Sequence, residues 1–188
     1  FTSSYGADAV ASMGIAQKIN TVPFQIALGF SQGIIPLVSY TYASGNHKRM
    51  KDTVLFAIKL MLPAMVTVTA GYFIWAGNLI ALFMNNEAII AYGTRFLRAM
   101  CLAQPLIYMD FLAVGVFQAL GLGKNALIFA IMRKIILEIP ALFILNYVYP
   151  LYGLAYAQPV AELVLTIAAV VMLKQIFERN QNGTNAAG

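Results

Sequence analysis

The sequence contains few of the residues on which soluble enzymes and small secreted domains depend. Among its 188 residues, Cys101 is the one cysteine and His47 the one histidine. A single cysteine permits no internal disulfide, and a single histidine leaves no Cys/His cluster for zinc. Charged residues make up 10% of the chain, against about 25% in ordinary soluble domains. This composition excludes a soluble enzyme, a disordered chain and a disulfide-stapled secreted module.

The chain is rich in long runs of hydrophobic residues. Hydrophobic residues make up 61% of it, and they form runs long enough to cross about 30 Å of hydrocarbon. A net charge of +5 is also found in nucleic-acid-binding proteins, but here the basic residues lie between long apolar runs. We therefore expect the lipid bilayer, and no nucleic acid, as a partner. The predicted fold class is an all-α integral membrane protein.

Polar breaks divide the chain into an outer segment, a transmembrane region and a tail. The outer segment is predicted at 1–8, the transmembrane region at 9–177 and a disordered cytoplasmic tail at 178–188. Five transmembrane helices are predicted, at about 9–43, 53–83, 88–120, 125–146 and 154–176.

The first of these segments is ambiguous. Pro23 either separates two short helices or bends one long helix, which a membrane protein tolerates when neighbours satisfy the freed carbonyl. Gly29 and Gly33 form a small-xxx-small pair, which favours close packing of helices. A polar stripe lining a substrate path is the alternative for this helix.

The distribution of basic residues predicts the orientation. Six basic residues follow the first, third and fifth spans, and no lysine or arginine occupies the opposite ends. They are Lys48, Arg49, Lys51, Lys124, Lys174 and Arg179. Because Lys and Arg concentrate on the cytoplasmic side, the N-terminus is predicted outside and the C-terminus in the cytoplasm. The chain is thus a multi-pass protein of the inner, cytoplasmic membrane.

Charges inside the spans are the candidate functional residues, because each costs about 2.5–3.5 kcal/mol at the bilayer centre on insertion scales. Asp110 lies deep in the third span, with no basic residue within four positions. It is either protonated and bonded to a neighbouring helix, or it faces a wet cavity or an ion. Glu162 follows Pro159 in the fifth span. It is a second proton or cation candidate, with bonding to a neighbouring helix as the alternative.

Other polar residues have structural interpretations. Lys134 and Glu138 have the i,i+4 spacing of an ion pair on one helix face, and with Arg133 they lie half-way along the fourth span. Structural pairing is the first interpretation and cavity lining the second. Arg95 and Arg98 are predicted to reach the outer interface.

Enzymatic motifs are missing from the sequence. The glycines near Lys124 resemble a phosphate loop only superficially, because Gln118 and Asn125 occupy positions where a Walker motif has Gly and Ser or Thr. No HExxH, GxSxG or paired-cysteine motif occurs. We predict that the protein is not an enzyme.

Four segments resemble the second half of multidrug and toxic compound extrusion (MATE) transporters of the bacterial type. They are YGADAVA at 5–11, GFSQGIIPL at 29–37, FQALG at 117–121 and GLAYAQPVAE at 153–162. The resemblance implies a twelve-helix fold of two six-helix lobes, in which this chain forms helices 8–12 and residues 1–8 contain the tail of helix 7. It also implies that 9–43 is one long helix, and that the missing N-terminal lobe of the same transporter is a partner.

The resemblance further implies a function. Family members export organic cations and amphipathic drugs in exchange for Na⁺ or H⁺ and need no cofactor. Sodium-linked members carry a Met-Asp pair in helix 10, which Met109 and Asp110 match, although Leu120 stands where those members have a basic residue. Asp110 is thus the candidate Na⁺ ligand, and Asp110 and Glu162 are the candidates for cation or proton coupling. The candidate cavity-lining residues are Gln32, Gln118, Arg133, Lys134 and Glu138.

Two alternatives remain open from the sequence. A lipid-linked precursor flippase of a related exporter family would place more cationic residues toward its cavity to bind pyrophosphate. Arg133 and Lys134 are compatible with this, whereas the Gln158-Pro159 pattern argues against it. The other alternative is a truncated membrane fragment that does not transport.

Overall fold

The computed structural model describes residues 6–148 and 152–185, in which helices are joined by short turns and no strand occurs. The predicted all-α fold is therefore confirmed. The helices, in chain order, are α1 (Ala7–Ala43), α2 (His47–Ala81), α3 (Glu87–Cys101), α4 (Gln104–Ala119), α5 (Gly123–Ile131), α6 (Ile139–Val148) and α7 (Gly153–Asn185), with a π-helical segment (Met132–Glu138) between α5 and α6. Most of the predicted outer segment 1–8 lies outside the described residues.

Helix α1 is a single helix that passes through Pro23 without a break. At about 1.5 Å per residue it is roughly 55 Å long, more than one bilayer core. Gly29 and Gly33 pack against no other helix within the described residues, so their predicted role in close packing stays a prediction. Both glycines are exposed, and a Cβ added to either would meet no atom within 4 Å.

Helix α2 begins earlier than the predicted position 53. The Asn46 side chain accepts a hydrogen bond from the Arg49 backbone N–H at 3.0 Å, which caps the helix. Because this cap satisfies a free N–H group of the first turn, the polar residues after Asn46 are helical too. Hydropathy marks where a span enters the membrane, and the cap marks where the helix starts.

The third predicted span, 88–120, is not one continuous helix. The chain leaves α3 after Cys101 and enters α4 at Gln104, with a tight turn in which Ala103 N–H bonds the Met100 carbonyl at 3.1 Å. Pro105 explains the break, since it has no N–H to donate to the carbonyl of Cys101. Together α3 and α4 form the central span of the bundle. In its most apolar stretch 72% of residues are buried, against 22% to 33% in α1, α2 and α7.

The described structure contains four spans that are long and apolar enough to cross a membrane, namely Ala7–Ala43, His47–Ala81, Glu87–Ala119 and Ala155–Glu178. The predicted fourth helix, 125–146, is helical but is divided by the π-helical segment into pieces shorter than a span. Pro140 lies just after this segment and cannot donate to the carbonyl of Ile136, which disturbs the regular ladder there.

Helix α7 continues to Asn185, past residue 178, where the sequence predicts a disordered tail to begin. The polar composition of the tail suggested disorder, but helix propagates readily once it is nucleated by the preceding span. Lys174 and Glu178 lie one turn apart, with Nζ and Oε1 separated by 3.9 Å. This pair supports the helix across the predicted boundary.

Hydrogen bonds from side chains to backbone carbonyls connect the central span to its neighbours. The Tyr108 hydroxyl donates to the Ala57 carbonyl of α2 at 2.9 Å. The Ser39 hydroxyl of α1 donates to the Ala119 carbonyl of α4 at 3.2 Å. In a bilayer such bonds contribute to association because lipid supplies no hydrophobic force between helices. They fix α4, which carries Asp110, within the bundle.

Candidate functional site

Asp110 and Glu162 meet at the buried contact between α4 and α7. Both residues are 1% exposed, and their carboxyl groups lie close enough together for the charge of one to act on the other. Thr166, one turn beyond Glu162 on α7, lies beside them. Its hydroxyl is 3.3 Å from both Asp110 Oδ1 and the Leu106 carbonyl oxygen, and its one proton can be donated to either acceptor.

Arg133 brings a positive charge to the same place. Its Nη2 atom lies 2.7 Å from Glu162 Oε1, and the two side chains are 13% and 2% exposed. The guanidinium also stacks on the ring of Phe111, 4.9 Å from the ring centroid, a favourable cation–π arrangement. Because Arg133 belongs to the π-helical segment, three helical segments supply the charges of this group. We call Asp110, Glu162 and Arg133 the charged cluster.

The charged cluster has unused hydrogen-bonding capacity. Asp110 Oδ2, Glu162 Oε2 and Arg133 Nε are buried and have no hydrogen-bond partner among the described residues. With both carboxyl groups ionised and the guanidinium protonated, the cluster carries one net negative charge. Because a buried uncompensated charge is costly, this arrangement can accept one further positive charge, either a proton or a monovalent cation.

Carboxylates of this cluster do not make a complete metal cage. In the described part of the chain, no group of three or more His, Cys, Asp or Glu side chains could hold a metal ion. Asp110 and Glu162 offer two carboxyl groups, and the Thr166 hydroxyl and Leu106 carbonyl add neighbouring oxygens. Oxygen ligands of this kind suit Na⁺, which is a hard cation like Mg²⁺ and Ca²⁺.

A polar cavity of about 410 Å³ adjoins the charged cluster. It lies between α1, the π-helical segment and α7, and it is lined by Gln17, Asn20, Thr21, Phe24, Gln25, Met100, Lys134, Glu138 and Gln158. We call this the amide cavity. Behind it, Gln104 of α4 donates to Asn20 Oδ1 at 2.7 Å and so holds one wall in place.

The amide cavity and the charged cluster share a wall of aromatic rings. Phe24 lines the cavity and packs edge-on against Phe111 with the ring centroids 5.1 Å apart. Phe111 in turn carries the Arg133 guanidinium on its face. Gln158, at the cavity wall, is one turn before Glu162 on α7. A ligand in the cavity would therefore lie one layer of side chains away from the cluster.

An ion pair occupies one side of the amide cavity. Lys134 Nζ lies 2.8 Å from Glu138 Oε2 and 3.0 Å from Oε1. The Lys134 side chain is 66% exposed and that of Glu138 is 24% exposed. Because such exposed i,i+4 pairs contribute about 0.3–0.5 kcal/mol, a competing charged ligand could displace Lys134 at little cost.

The site residues predicted from the sequence lie in the charged cluster, in the amide cavity or at exposed positions outside both. Asp110, Glu162 and Arg133 form the charged cluster, and Lys134 and Glu138 line the amide cavity. Gln32 on α1 and Gln118 on α4 are exposed and line neither.

Two members of the site, and the contact between Arg133 and Glu162, were not predicted from the sequence. Thr166 and Phe111 were not candidates, although Thr166 follows Glu162 by one helical turn and so shares its face. The pairing of Arg133 with Glu162 joins residues that are far apart in sequence, and a single sequence holds no signal for such a contact.

The fold and site define a class of protein: a multi-pass α-helical membrane protein with buried charges beside a polar cavity, as is typical of transporters. The MatE family model matches residues 1–148. The multidrug export protein MepA of Staphylococcus aureus (strain bovine RF122 / ET3-1) is 31% identical over 179 residues, which cover 95% of this chain and 39% of that protein. MepA of Staphylococcus haemolyticus (strain JCSC1435) is 32% identical over 184 residues, with the same coverage.

Solved structures agree in fold. The Vibrio cholerae MATE transporter VcmN in its bent form superposes with a TM-score of 0.88 at 17% identity, covering 95% of this chain and 41% of that one. The chain belongs to the MatE family of multidrug and toxic compound extrusion transporters. It spans about two fifths of the length of the curated relatives it matches.

The family match tests several predictions made from the sequence. The resemblance to bacterial MATE transporters is confirmed, and the protein is a multi-pass membrane protein of a transporter family rather than an enzyme. A lipid-linked precursor flippase finds no support in these relatives, which are multidrug export proteins.

Proposed function

We propose that this chain is part of a secondary active exporter that moves organic cations and amphipathic drugs across the cytoplasmic membrane in exchange for Na⁺ or H⁺. The observation that carries the proposal is the charged cluster. Asp110 and Glu162 have buried oxygens without a partner among the described residues, and their negative charges exceed the one positive charge of Arg133. One proton or one Na⁺ completes the cluster.

Ion binding at Asp110 and Glu162 provides the coupling. An ion shifts a conformational equilibrium only when it binds the two states with different affinities. Asp110 and Glu162 lie on different helices, α4 and α7, so a small relative movement of these helices changes the distance between the two carboxyl groups. The coupling ion therefore favours the state in which the carboxyl groups are close together, and the substrate favours the other.

The amide cavity is the proposed substrate site. Its amide side chains hydrogen-bond polar groups of varied ligands, and Glu138 attracts a cationic group. Phe24 presents an aromatic ring and Met100 a flexible thioether, surfaces that adapt to amphipathic molecules of different shape. Lys134 is released from Glu138 when a substrate cation takes its place.

We further propose that the chain works as one lobe of a larger assembly. The chain pairs with the N-terminal lobe of the same transporter, in line with its coverage of 39% of each MepA relative. Rocking of one lobe against the other gives alternating access. The basic residues at one side of the membrane support an N-terminus outside and a C-terminus in the cytoplasm. The transporter needs no cofactor beyond its coupling ion.

The test is an efflux assay with the native protein expressed in cells that lack their own exporters. Accumulation of a fluorescent cationic dye is followed while the Na⁺ and proton gradients are varied separately. We expect ion-dependent efflux by the wild type and a strong loss in Asp110→Asn. Asp52→Asn, the same chemical change at an exposed position, is the matched control and should retain efflux. Efflux by Asp110→Asn equal to that of the control would remove Asp110 from the mechanism.

A further inference from the structure

Two arginines on α3 lie outside the charged cluster and have no acidic partner among the described residues. Arg95 Nη1 is 3.2 Å from the Tyr152 hydroxyl, and the guanidinium lies over the Tyr152 ring at 5.3 Å. Arg98 Nε donates to the Phe73 carbonyl at 3.0 Å, and its guanidinium lies over the Phe73 ring at 5.1 Å. Both side chains are thereby oriented, yet each keeps most of its five N–H donors for another ligand.

These arginines line a cavity that adjoins an apolar one. The first has a volume of about 310 Å³ and is lined by Phe73, Arg95, Arg98, Tyr152 and Tyr156. The second has a volume of about 440 Å³ and is lined by Leu145, Tyr152, Gly153 and Tyr156. Tyr152 and Tyr156 belong to both. A single ligand can therefore place a negative group at the arginines and an apolar chain in the neighbouring cavity.

The surroundings of the two cavities are apolar and exposed. On α2, Ile74 and Trp75 next to Phe73 are 66% and 59% exposed. On α7, Val160 and Leu163 beyond Tyr156 are 46% and 52% exposed. The amide cavity, in contrast, has polar residues of α1 at its rim. An apolar surface on membrane-spanning helices is the surface that contacts lipid tails.

The arginines also lie at the depth of a lipid headgroup. The span Glu87–Ala119 has 33 residues and is about 50 Å long, which exceeds the hydrocarbon core by about 20 Å. If the excess is shared between both ends, the core begins about 10 Å along the helix. Arg95 is about 12 Å from the start of α3, and Arg98 is one turn further. Arg95 thus lies at the boundary between headgroups and tails. Arg98 starts about 6 Å deeper than that boundary, and its long side chain extends back toward it, where basic side chains are favoured.

We propose that Arg95 and Arg98 bind the phosphate of an anionic phospholipid, with one of its acyl chains in the apolar cavity lined by Leu145 and Tyr156. Guanidinium groups match phosphate oxygens with paired hydrogen bonds. The site is formed by α2, α3, α6 and α7, so the lipid joins α2, α3 and α6 to α7, whereas the charged cluster joins α7 to α4 and the π-helical segment. This inference does not depend on the coupling mechanism.

The proposal is tested on the native protein purified in detergent. Native mass spectrometry measures how much phosphatidylglycerol and phosphatidylcholine, with identical acyl chains, the wild type retains. We expect a preference for phosphatidylglycerol on the order of tenfold, as two favourable basic contacts imply. Equal retention of the two lipids would overturn the proposal without any variant being made.

Variants then locate the preference. Arg95→Gln/Arg98→Gln should lose the preference for phosphatidylglycerol. Lys48→Gln/Arg49→Gln should keep it, because this pair removes the same charge at the start of α2, far from Phe73 and the proposed site. Arg95→Lys/Arg98→Lys keeps the charge without the paired hydrogen bonds and should show a reduced preference. A preference that survives in the glutamine pair would contradict the site. If inorganic phosphate at the same concentration stabilises the wild type against heat as much as phosphatidylglycerol does, the ligand is a free anion and the lipid proposal is wrong.

Discussion

The Arg133 guanidinium lies 2.7 Å from the Glu162 carboxylate, and this contact joins the π-helical segment to α7. Glu162 in turn faces Asp110 on α4, so one arginine balances part of the charge of two carboxyl groups. A buried pair of this kind is costly to break, because the remaining partner is left as an uncompensated charge. The same imbalance makes the group responsive to one additional cation.

Removing the arginine should destabilise the protein through its partners. Arg133→Gln leaves two buried carboxyl groups without a countercharge, and we expect a loss of about 3–5 kcal/mol in the free energy of unfolding. The double variant Arg133→Gln/Glu162→Gln should recover much of this loss, because it also removes the Glu162 charge that Arg133 balances. Denaturation of the native protein in detergent checks both.

The control for this comparison is Lys174→Gln, which breaks an exposed pair with Glu178 and should cost less than about 1 kcal/mol. If the Arg133→Gln and double variants are equally unstable, the arginine acts through packing on Phe111 rather than through charge.

Thr166 should tune the affinity for the coupling ion. Thr166→Val removes the hydroxyl beside Asp110 Oδ1 while keeping the shape of the side chain. A hydrogen bond to a charged group contributes about 1.5–3 kcal/mol, so the ion concentration for half-maximal efflux should change by about tenfold or more. Thr166→Ser, which keeps the hydroxyl, should remain close to the wild type. Identical ion dependence of the valine and serine variants would exclude this role.

Glu138 should discriminate cationic substrates. In Glu138→Gln the amide cavity loses its negative group, and an exposed charge contact contributes about 0.2–1 kcal/mol. We expect the concentration for half-maximal efflux of a cationic dye to rise several-fold, with that of an uncharged amphipathic dye unchanged. Glu178→Gln, the same change near the end of α7, is the control. A parallel change for both dyes would assign Glu138 a structural role.

Gly153 should not tolerate a side chain. A Cβ at this position would overlap the Leu145 carbonyl group, so α6 and α7 would have to separate. We expect Gly153→Ala to cost about 1–3 kcal/mol or more, the usual range for overpacking. Gly14→Ala, where an added Cβ meets no atom within 4 Å, should be neutral or stabilising because alanine favours helix. Equal thermal unfolding temperatures for the two variants would contradict this contact.

The sequence predicted the membrane fold because run length alone decides whether a segment can cross a bilayer. It also marked Asp110 and Glu162, since a charge inside an apolar run is costly wherever it points. The sequence did not predict that Asp110 and Glu162 lie side by side. Hydropathy indicates how deep a residue lies in the membrane, but not which neighbouring helix its side chain faces. Pro105 and Pro140 were visible in the sequence, but whether a proline bends, breaks or widens a helix depends on the neighbours that satisfy the freed carbonyl.

The π-helical segment shows most clearly that a single sequence does not reveal contacts between helices. Regular helical spacing groups Lys134 with Glu138, and the structure has that pair. Arg133, the adjacent residue, instead turns toward α7 and Phe111. Its partner is on another helix, and a single sequence does not record which helices are neighbours.

Counting bound ions shows whether Asp110 and Glu162 take up one monovalent cation, as proposed. The native protein in detergent is equilibrated with radioactive Na⁺, and proton uptake is measured in parallel without Na⁺. We expect Asp110→Asn to bind one ion fewer per molecule than Asp52→Asn, whether that ion is Na⁺ or H⁺. An equal count of both ions in the two variants would contradict it.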